Sequence, residues 1–280
     1  MNLMLNCHAV RIGAGLLCAL LLFSGCSSEQ AAENNEENFV STETALPGTG
    51  IRREKKKDKT SDDREKVKEG YVICVDPGHG FVDGGCGDGI WEDGTLEKDI
   101  NLAVANKLKE DLTNLGFSVV MTHDGTTFGK TAEDNGDQIF NPSERVAYAN
   151  TLDIDYYVSI HVNSYEANLD TCGIRIYYEN ENNWRKVDTN DEIIAQSIAD
   201  SIENEMDPTP SPQIFDQSVA SYQVTRETMV AASLIEIGFC TNPTDAANMV
   251  DDEWQSEIAQ AIADGLYSYY TGLSEGENYA

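Results

Sequence analysis

The chain has few basic residues. It contains 19 Lys and Arg against 49 Asp and Glu, which gives its 280 residues a formal net charge of −30. Nine of the 19 basic residues lie between positions 52 and 68, so the rest of the chain is more acidic than the average. A strongly acidic surface repels the phosphate backbone of nucleic acids and favours solubility. We therefore expect no nucleic-acid partner.

The chain also lacks any pair of cysteines with C-x-x-C spacing, which excludes a zinc ribbon and a thioredoxin-like site. Four cysteines follow the first 26 residues: Cys74, Cys86, Cys172 and Cys240. Cys74 and Cys240 lie in or beside apolar runs, and we expect both to be buried thiols. An even number of cysteines permits disulfides in an exported protein, but the sequence does not give their pairing.

The apolar run Ile12–Phe23 is too short to span a bilayer comfortably, and it follows Arg11 as the apolar core of an export signal would. The small residues Ser24 and Gly25 then precede Cys26, a pattern that resembles the lipobox of bacterial lipoproteins. This resemblance implies that Cys26 becomes the lipidated N-terminus after cleavage. Ordinary signal cleavage nearby and a retained N-terminal anchor are the alternatives, and each of them exports the chain.

Residues 27–69 show no hydrophobic periodicity. Glu, Asn, Ser and Thr dominate first, and the basic run Arg52–Lys57 follows. This composition cannot bury a core and predicts a disordered tether, whose basic run is either solvated or in contact with anionic lipid or wall polymer. The predicted organisation is a signal segment over 1–26, a tether over 27–69, a folded catalytic domain over 70–272 and a tail over 273–280.

Short β-branched runs alternate with helical periodicity through the predicted domain. Strands are predicted at Tyr71–Val75, Phe117–Thr122, Tyr156–Ile160, Gly173–Tyr178 and Ala232–Ile237, and helices at 97–115, 142–150, 192–205, 244–250 and 253–270. This alternation predicts a single α/β domain with a largely parallel sheet.

The first predicted strand leads into a glycine-rich loop. In the stretch Tyr71–Gly85, YVICVDPGHGFVDGG, the apolar run breaks at Asp76-Pro77-Gly78 and is followed at once by His79. Open α/β sheets bind their ligands at the carboxyl ends of their strands. The position of His79 therefore favours a functional site.

Three further residues occupy comparable places. His161 follows the third predicted strand, Glu97 begins the first helix, and Glu236 ends the late strand. Because the carboxyl ends of parallel strands converge on one edge, these side chains can meet His79. Two His and one Glu are a known ligand set for catalytic zinc, and a further carboxylate must then move the proton.

Two of these residues have structural alternatives. Glu236 lies in an otherwise apolar strand, where a carboxylate without a partner is unfavourable, so a buried salt bridge would also explain it. Glu97, taken alone, would also suit a helix N-terminus, where an acid interacts favourably with the helix dipole.

Five motifs occur in an order that resembles the zinc-dependent N-acetylmuramoyl-L-alanine amidases of the amidase_3 family. They are VDPGHG (75–80), LEKDINL (96–102), SERVAYAN (143–150), SIHVNS (159–164) and IEIGFCTN (235–242). The similarity runs from about Tyr71 to Tyr270. It implies a mixed sheet flanked by helices, one Zn²⁺ ion held by His79, Glu97 and His161, and Glu236 as the catalytic carboxylate.

The resemblance implies hydrolysis of the amide between the lactyl group of N-acetylmuramic acid and L-alanine in peptidoglycan, outside the cytoplasm and close to the membrane. Two alternatives stay open: an inactive wall-binding or regulatory relative, and a zinc peptidase that cuts within the stem peptide. His123 stands where the family often has Arg, and we expect it to be a surface residue. Cys86 is either a bystander or an adventitious ligand.

Overall fold

The computed structural model of the chain describes residues 66–67, 70–86, 88–125, 141–180 and 190–272. The predicted signal segment, the predicted tail and all of the predicted tether except residues 66 and 67 lie outside the described residues. None of the helices in the described ranges has both the length and the apolar character that crossing a membrane requires.

The described residues form six strands and six helices. In chain order they are β1 (Val72–Pro77), α1 (Glu97–Asn114), β2 (Ser118–Met121), α2 (Pro142–Ala149), β3 (Tyr156–Asn163), β4 (Arg175–Tyr178), α3 (Asp191–Met206), β5 (Gln213–Phe215), α4 (Gln223–Glu227), β6 (Ala231–Phe239), α5 (Pro243–Met249) and α6 (Asp252–Thr271).

The strands form one sheet in the order β2-β1-β3-β6-β4-β5. Neighbouring strands run parallel except for β4 and β6, which are antiparallel. One hydrophobic cluster joins the sheet to α1, α3 and α6, and a second joins the opposite face to α2 and α4. The predicted fold class, a single α/β domain with a mixed, largely parallel sheet flanked by helices, is confirmed.

The central strands are largely apolar because helices cover both faces. All nine residues of β6 are buried. On the side of α1, helices α3 and α6 approach closely at Gly265, where a Cβ atom would lie 2.5 Å from the Ile198 Cα. Ser197 Oγ donates a hydrogen bond to the Gly265 carbonyl across this contact, at 2.8 Å. Glycine therefore permits the close packing of these two helices.

Strands β3 and β6 extend further than predicted. Their pairing continues through His161 and Glu236, which are register partners, and resumes at Asn163 and Phe239 after an irregularity. His161 thus lies inside β3 rather than just after it, and Glu236 lies inside β6 rather than near its end. The polar residues at these positions end the apolar pattern, although the backbone pairing continues.

The sequence prediction missed β5 and α4. Both are short, with three and five residues, and therefore show no complete period of a strand or helix. β5 pairs parallel to β4 at the edge of the sheet.

A buried ion pair fixes the end of β1 just before the glycine loop. The Nε of Arg145, on α2, lies 2.7 Å from Oδ1 of Asp76, and both side chains are almost completely buried. The hydroxyls of Thr122 and Ser159 also donate to the Asp76 carboxylate, each at 2.6 Å. Removing one partner from such a pair typically costs about 3–5 kcal/mol, because the other charge is left buried alone. The ion pair therefore fixes α2 against the end of β1, and the Ser159 hydrogen bond fixes β3 to the same carboxylate.

Candidate metal centre and catalytic site

Three of the four predicted site residues meet at the carboxyl edge of the sheet. His79, Glu97 and His161 each offer one ligand atom, and these atoms all lie within 4.8 Å of one another. The two imidazole rings approach edge to face, with centroids 5.0 Å apart. The structure thus brings together the residues that the strand-end argument predicted.

The glycine loop turns sharply to place His79. The backbone of His79 has a φ of +63°, a left-handed conformation that is uncommon for residues other than glycine and often occurs at functional sites. Gly78 precedes it and packs against the His161 ring, so that a Cβ atom at Gly78 would overlap the ring. The Pro-Gly-His sequence therefore serves two purposes: it ends β1 and lets the two imidazoles approach.

Asp83 orients His79. The imidazole donates from Nδ1 to Asp83 Oδ2 at 2.8 Å, and this leaves its Nε2 3.2 Å from Glu97 Oε1. Asp83 is itself held by the amide of Gly85, which donates to Oδ1 at 3.1 Å. Burial lowers the pKa of His79, but the carboxylates of Glu97 and Asp83 outweigh it and raise the pKa to about 9.

Glu97 receives hydrogen bonds from three parts of the fold. Oε2 accepts from the amide of Cys86 at 2.7 Å, in the glycine loop. Oε1 accepts from the amide of Val162 at 3.0 Å, in β3, and from Nδ2 of Asn101 at 3.3 Å, one turn along α1. Burial raises the pKa of the carboxyl, but the two histidines and their hydrogen bonds outweigh it, so the pKa falls well below its usual range. The carboxylate is therefore ionised and fixed in position.

His161 projects from β3 with Nδ1 3.1 Å from the same Glu97 oxygen. Its Nε2 is buried and has no hydrogen-bond partner among the described residues. Burial lowers the pKa of His161, with Glu97 opposing, so the neutral imidazole is favoured. A neutral imidazole is the form that binds a metal ion.

The geometry of these three side chains fits a divalent ion such as Zn²⁺. Nitrogens of His79 and His161 lie 3.2 and 3.1 Å from one oxygen of Glu97. Ligands bound at about 2.0–2.2 Å in a tetrahedron lie roughly 3.3–3.6 Å from one another. Both His–Glu distances are close to this spacing, and all three ligand atoms lie within 4.8 Å of one another, so the three residues could hold one ion.

Glu236 lies beside this group, on the strand next to His161. Its side chain is 6% exposed, and Oε2 has no hydrogen-bond partner among the described residues. Burial and the charge of Glu97 raise the pKa of Glu236 to about 8, whereas His79 and Arg175 act in the opposite direction. No ion pair to Glu236 occurs within the described part of the chain, so a buried salt bridge does not explain this carboxylate.

Comparison with known proteins identifies the same family as the sequence motifs. The Amidase_3 family model, described as N-acetylmuramoyl-L-alanine amidase, matches residues 73–268. The chain belongs to this family.

This Amidase_3 member is also similar to individual proteins. The Bacillus subtilis (strain 168) protein YqiI is 32% identical over 209 residues, which cover 72% of this chain and 86% of YqiI. The germination-specific N-acetylmuramoyl-L-alanine amidase of the same organism is 26% identical over 205 residues, covering 72% of this chain and 81% of the relative. The crystal structure of an N-acetylmuramoyl-L-alanine amidase from Clostridium difficile 630 matches with a TM-score of 0.61 and 27% identity, over 75% of this chain and all of that one.

One expectation for this Amidase_3 domain was wrong. His123 is not a surface residue: it is 3% exposed, and its Nε2 lies 2.8 Å from the carbonyl oxygen of Pro77. It follows β2, which pairs with β1, and this neighbouring position brings the ring beneath the glycine loop. The polar sequence after it suggested an exposed loop.

The site also contains residues that sequence reasoning did not assign. Asp83 and Asn101 lie four residues after His79 and Glu97, and the i, i+4 spacing of Asn101 on α1 was a usable signal. Cys86 is not part of the three-residue group: its Sγ lies 2.9 Å from Sγ of Cys240. This position favours the bystander interpretation of Cys86.

We expect Asp83→Asn to lower the affinity of the site for Zn²⁺ by about 10–100-fold, because the His79 ring loses its orienting carboxylate. Competition with a chromogenic zinc chelator measures this affinity. Asp88→Asn is the matched control, since Asp88 is exposed in the same loop and should leave the affinity as it is in the parent chain. Equal affinities for Asp83→Asn and the parent would contradict the orienting role.

Proposed function

We propose that this protein is an exported, zinc-dependent N-acetylmuramoyl-L-alanine amidase. It hydrolyses the amide that joins the lactyl group of N-acetylmuramic acid to L-alanine of the peptidoglycan stem peptide. The main support for the proposal is that His79, Glu97 and His161 lie close together beside Glu236. The chain that contains them belongs to the Amidase_3 family. An inactive relative would usually have lost a ligand or the carboxylate, and this chain has all four.

In this proposal His79, Glu97 and His161 hold one Zn²⁺ ion. When bound, Zn²⁺ lowers the pKa of a water molecule to about 7 and polarises the carbonyl under attack. Glu97 contributes the negative charge of the ligand set, and the amides of Cys86 and Val162 hold its carboxylate in place. Asp83 keeps the Nε2 of His79 directed toward Glu97.

Glu236 acts as the general base and then as the general acid. It accepts a proton from the attacking water and donates that proton to the departing L-alanine nitrogen, so the carboxylate is regenerated in each turnover. Burial raises its pKa to about 8, so its ionised form is a stronger base than the carboxylate of an exposed glutamate. Its Oε2, which has no hydrogen-bond partner in the part of the chain that the structure describes, remains available for both transfers.

We expect Glu236→Gln to lower kcat by about 10²–10⁴-fold on purified sacculi, because the amide cannot accept the proton. The zinc content, measured by elemental mass spectrometry, should stay at the parent level, since Glu236 is not a ligand. His79→Ala should lose both the zinc and the activity. Full turnover by Glu236→Gln would refute the mechanism.

Glu227→Gln is the matched control for these variants, because Glu227 forms a partly exposed ion pair with Arg226 on α4. Mass spectrometry of the released muropeptides identifies the bond that is cut. A free L-alanine amino terminus with an intact glycan strand indicates the amidase, and cleavage within the stem peptide would indicate the peptidase alternative.

We also propose that the chain is a lipoprotein on the outer face of the cytoplasmic membrane. The support comes from the apolar run Ile12–Phe23 followed by Ser24-Gly25-Cys26, with lipid attached at Cys26. Residues 27–69 then serve as a polar tether between the lipid and the catalytic domain, which extends over 70–272. Such an arrangement would keep the enzyme beside its peptidoglycan substrate.

Cys26→Ser should remove the lipidation site and move the protein from the membrane fraction to the soluble or secreted fraction. Fractionation followed by immunoblotting measures this distribution. Cys18→Ser, within the apolar run, is the control and should stay with the membrane. A Cys26→Ser protein that remains in the membrane fraction would instead support a retained N-terminal anchor.

A further inference from the structure

Arg175 extends the row of site residues across the sheet. His161 in β3 is the register partner of Glu236 in β6, and Glu236 is in turn the register partner of Arg175 in β4. Register partners on adjacent strands project from the same face of a sheet. Arg175 therefore stands next to Glu236, on the side away from His161 and about two strand spacings, or roughly 10 Å, from it.

This arginine has no carboxylate partner within the described residues. The other two arginines of the described ranges form ion pairs, Arg145 with Asp76 and Arg226 with Glu227. Arg175 forms none, and its Nε is buried without a hydrogen bond. An unpaired guanidinium is unexpected in a chain with a net charge of −30.

Two aromatic rings hold the guanidinium instead. Its Cζ lies 4.6 Å from the centroid of the Phe239 ring and 5.8 Å from that of Phe215. Cation–π contacts of this kind act on the face of the guanidinium, so they do not use the N–H groups of its two terminal nitrogens. The side chain is only partly exposed, so a ligand that pairs with it would be well desolvated. The arrangement is that of a preorganised anion-binding group beside the reaction centre.

We propose that Arg175 binds a carboxylate of the stem peptide and so makes the enzyme selective for an acidic peptide. This inference rests on the proposed amidase function, in which Glu236 protonates the departing L-alanine nitrogen. The peptide can then extend on the Glu236 side, toward Arg175. A residue of extended chain spans about 3.3–3.6 Å, so a carboxylate one or two residues beyond that nitrogen can reach β4.

The chemistry of arginine suits this ligand. Its planar guanidinium pairs with a carboxylate through two parallel hydrogen bonds, and this geometry selects carboxylates over neutral amides. The positive charge also offsets the repulsion between an acidic peptide and an acidic protein. Arg175 is thus a binding residue for the peptide side of the substrate, separate from the three residues that hold the metal.

Two synthetic muramoyl peptides test the proposal. They share one sequence and differ only in the second residue of the stem, which carries a free carboxylate in one and the corresponding amide in the other. We expect the parent enzyme to have a KM for the acidic peptide about 10-fold below that for the amidated one, as loss of a charged hydrogen bond predicts. Arg175→Gln should bring this KM ratio close to one, and Arg175→Lys should give an intermediate ratio.

Arg226→Gln is the matched control and should keep the parent ratio, since Arg226 is paired with Glu227 on α4. If the parent enzyme has nearly equal KM values for the two peptides, the inference is wrong, whatever the variants show. Arg175→Gln could instead lower kcat/KM equally for both peptides and shift the pH profile of kcat. That result would contradict the inference and would indicate that Arg175 positions Glu236. A parent enzyme that cleaves neither peptide would refute the amidase function itself, and with it this inference.

Discussion

The carboxylate of Glu97 is the contact on which the site depends. The glycine loop, α1 and β3 each donate a hydrogen bond to it, and both histidines direct a ring nitrogen toward one of its oxygens. A buried carboxylate is unfavourable without such partners. Glu97 therefore joins separate segments of the chain by the same contacts that create the metal-binding geometry.

The sheet explains how these segments come together. Parallel strands β1, β3 and β6 present their carboxyl ends at one edge, and the buried Asp76–Arg145 pair fixes β1 just below the loop that carries His79. The antiparallel strand β4 begins at this same edge, which places Arg175 beside Glu236. The proposed metal ligands, the proposed proton carrier and the proposed anion-binding group consequently occupy neighbouring positions along one edge of the sheet.

Much of this arrangement could be predicted from the sequence, because long apolar strands and periodic helices give strong patterns. The strand ends also pointed to His79 and Glu236, since polar residues that follow apolar runs at the sheet edge are candidates for a site. Short elements such as β5 have no full period to detect. The burial of His123 and the lack of a carboxylate partner for Arg175 among the described residues depend on which strands become neighbours. Local periodicity does not predict the order of strands in a sheet.

Diffraction at the zinc absorption edge, from crystals of the domain grown with Zn²⁺, tests the central claim most directly. The account predicts one anomalous peak about 2.0–2.2 Å from a nitrogen of His79, a nitrogen of His161 and an oxygen of Glu97. A peak elsewhere, or an ion that lacks any one of these three residues as a ligand, would contradict it.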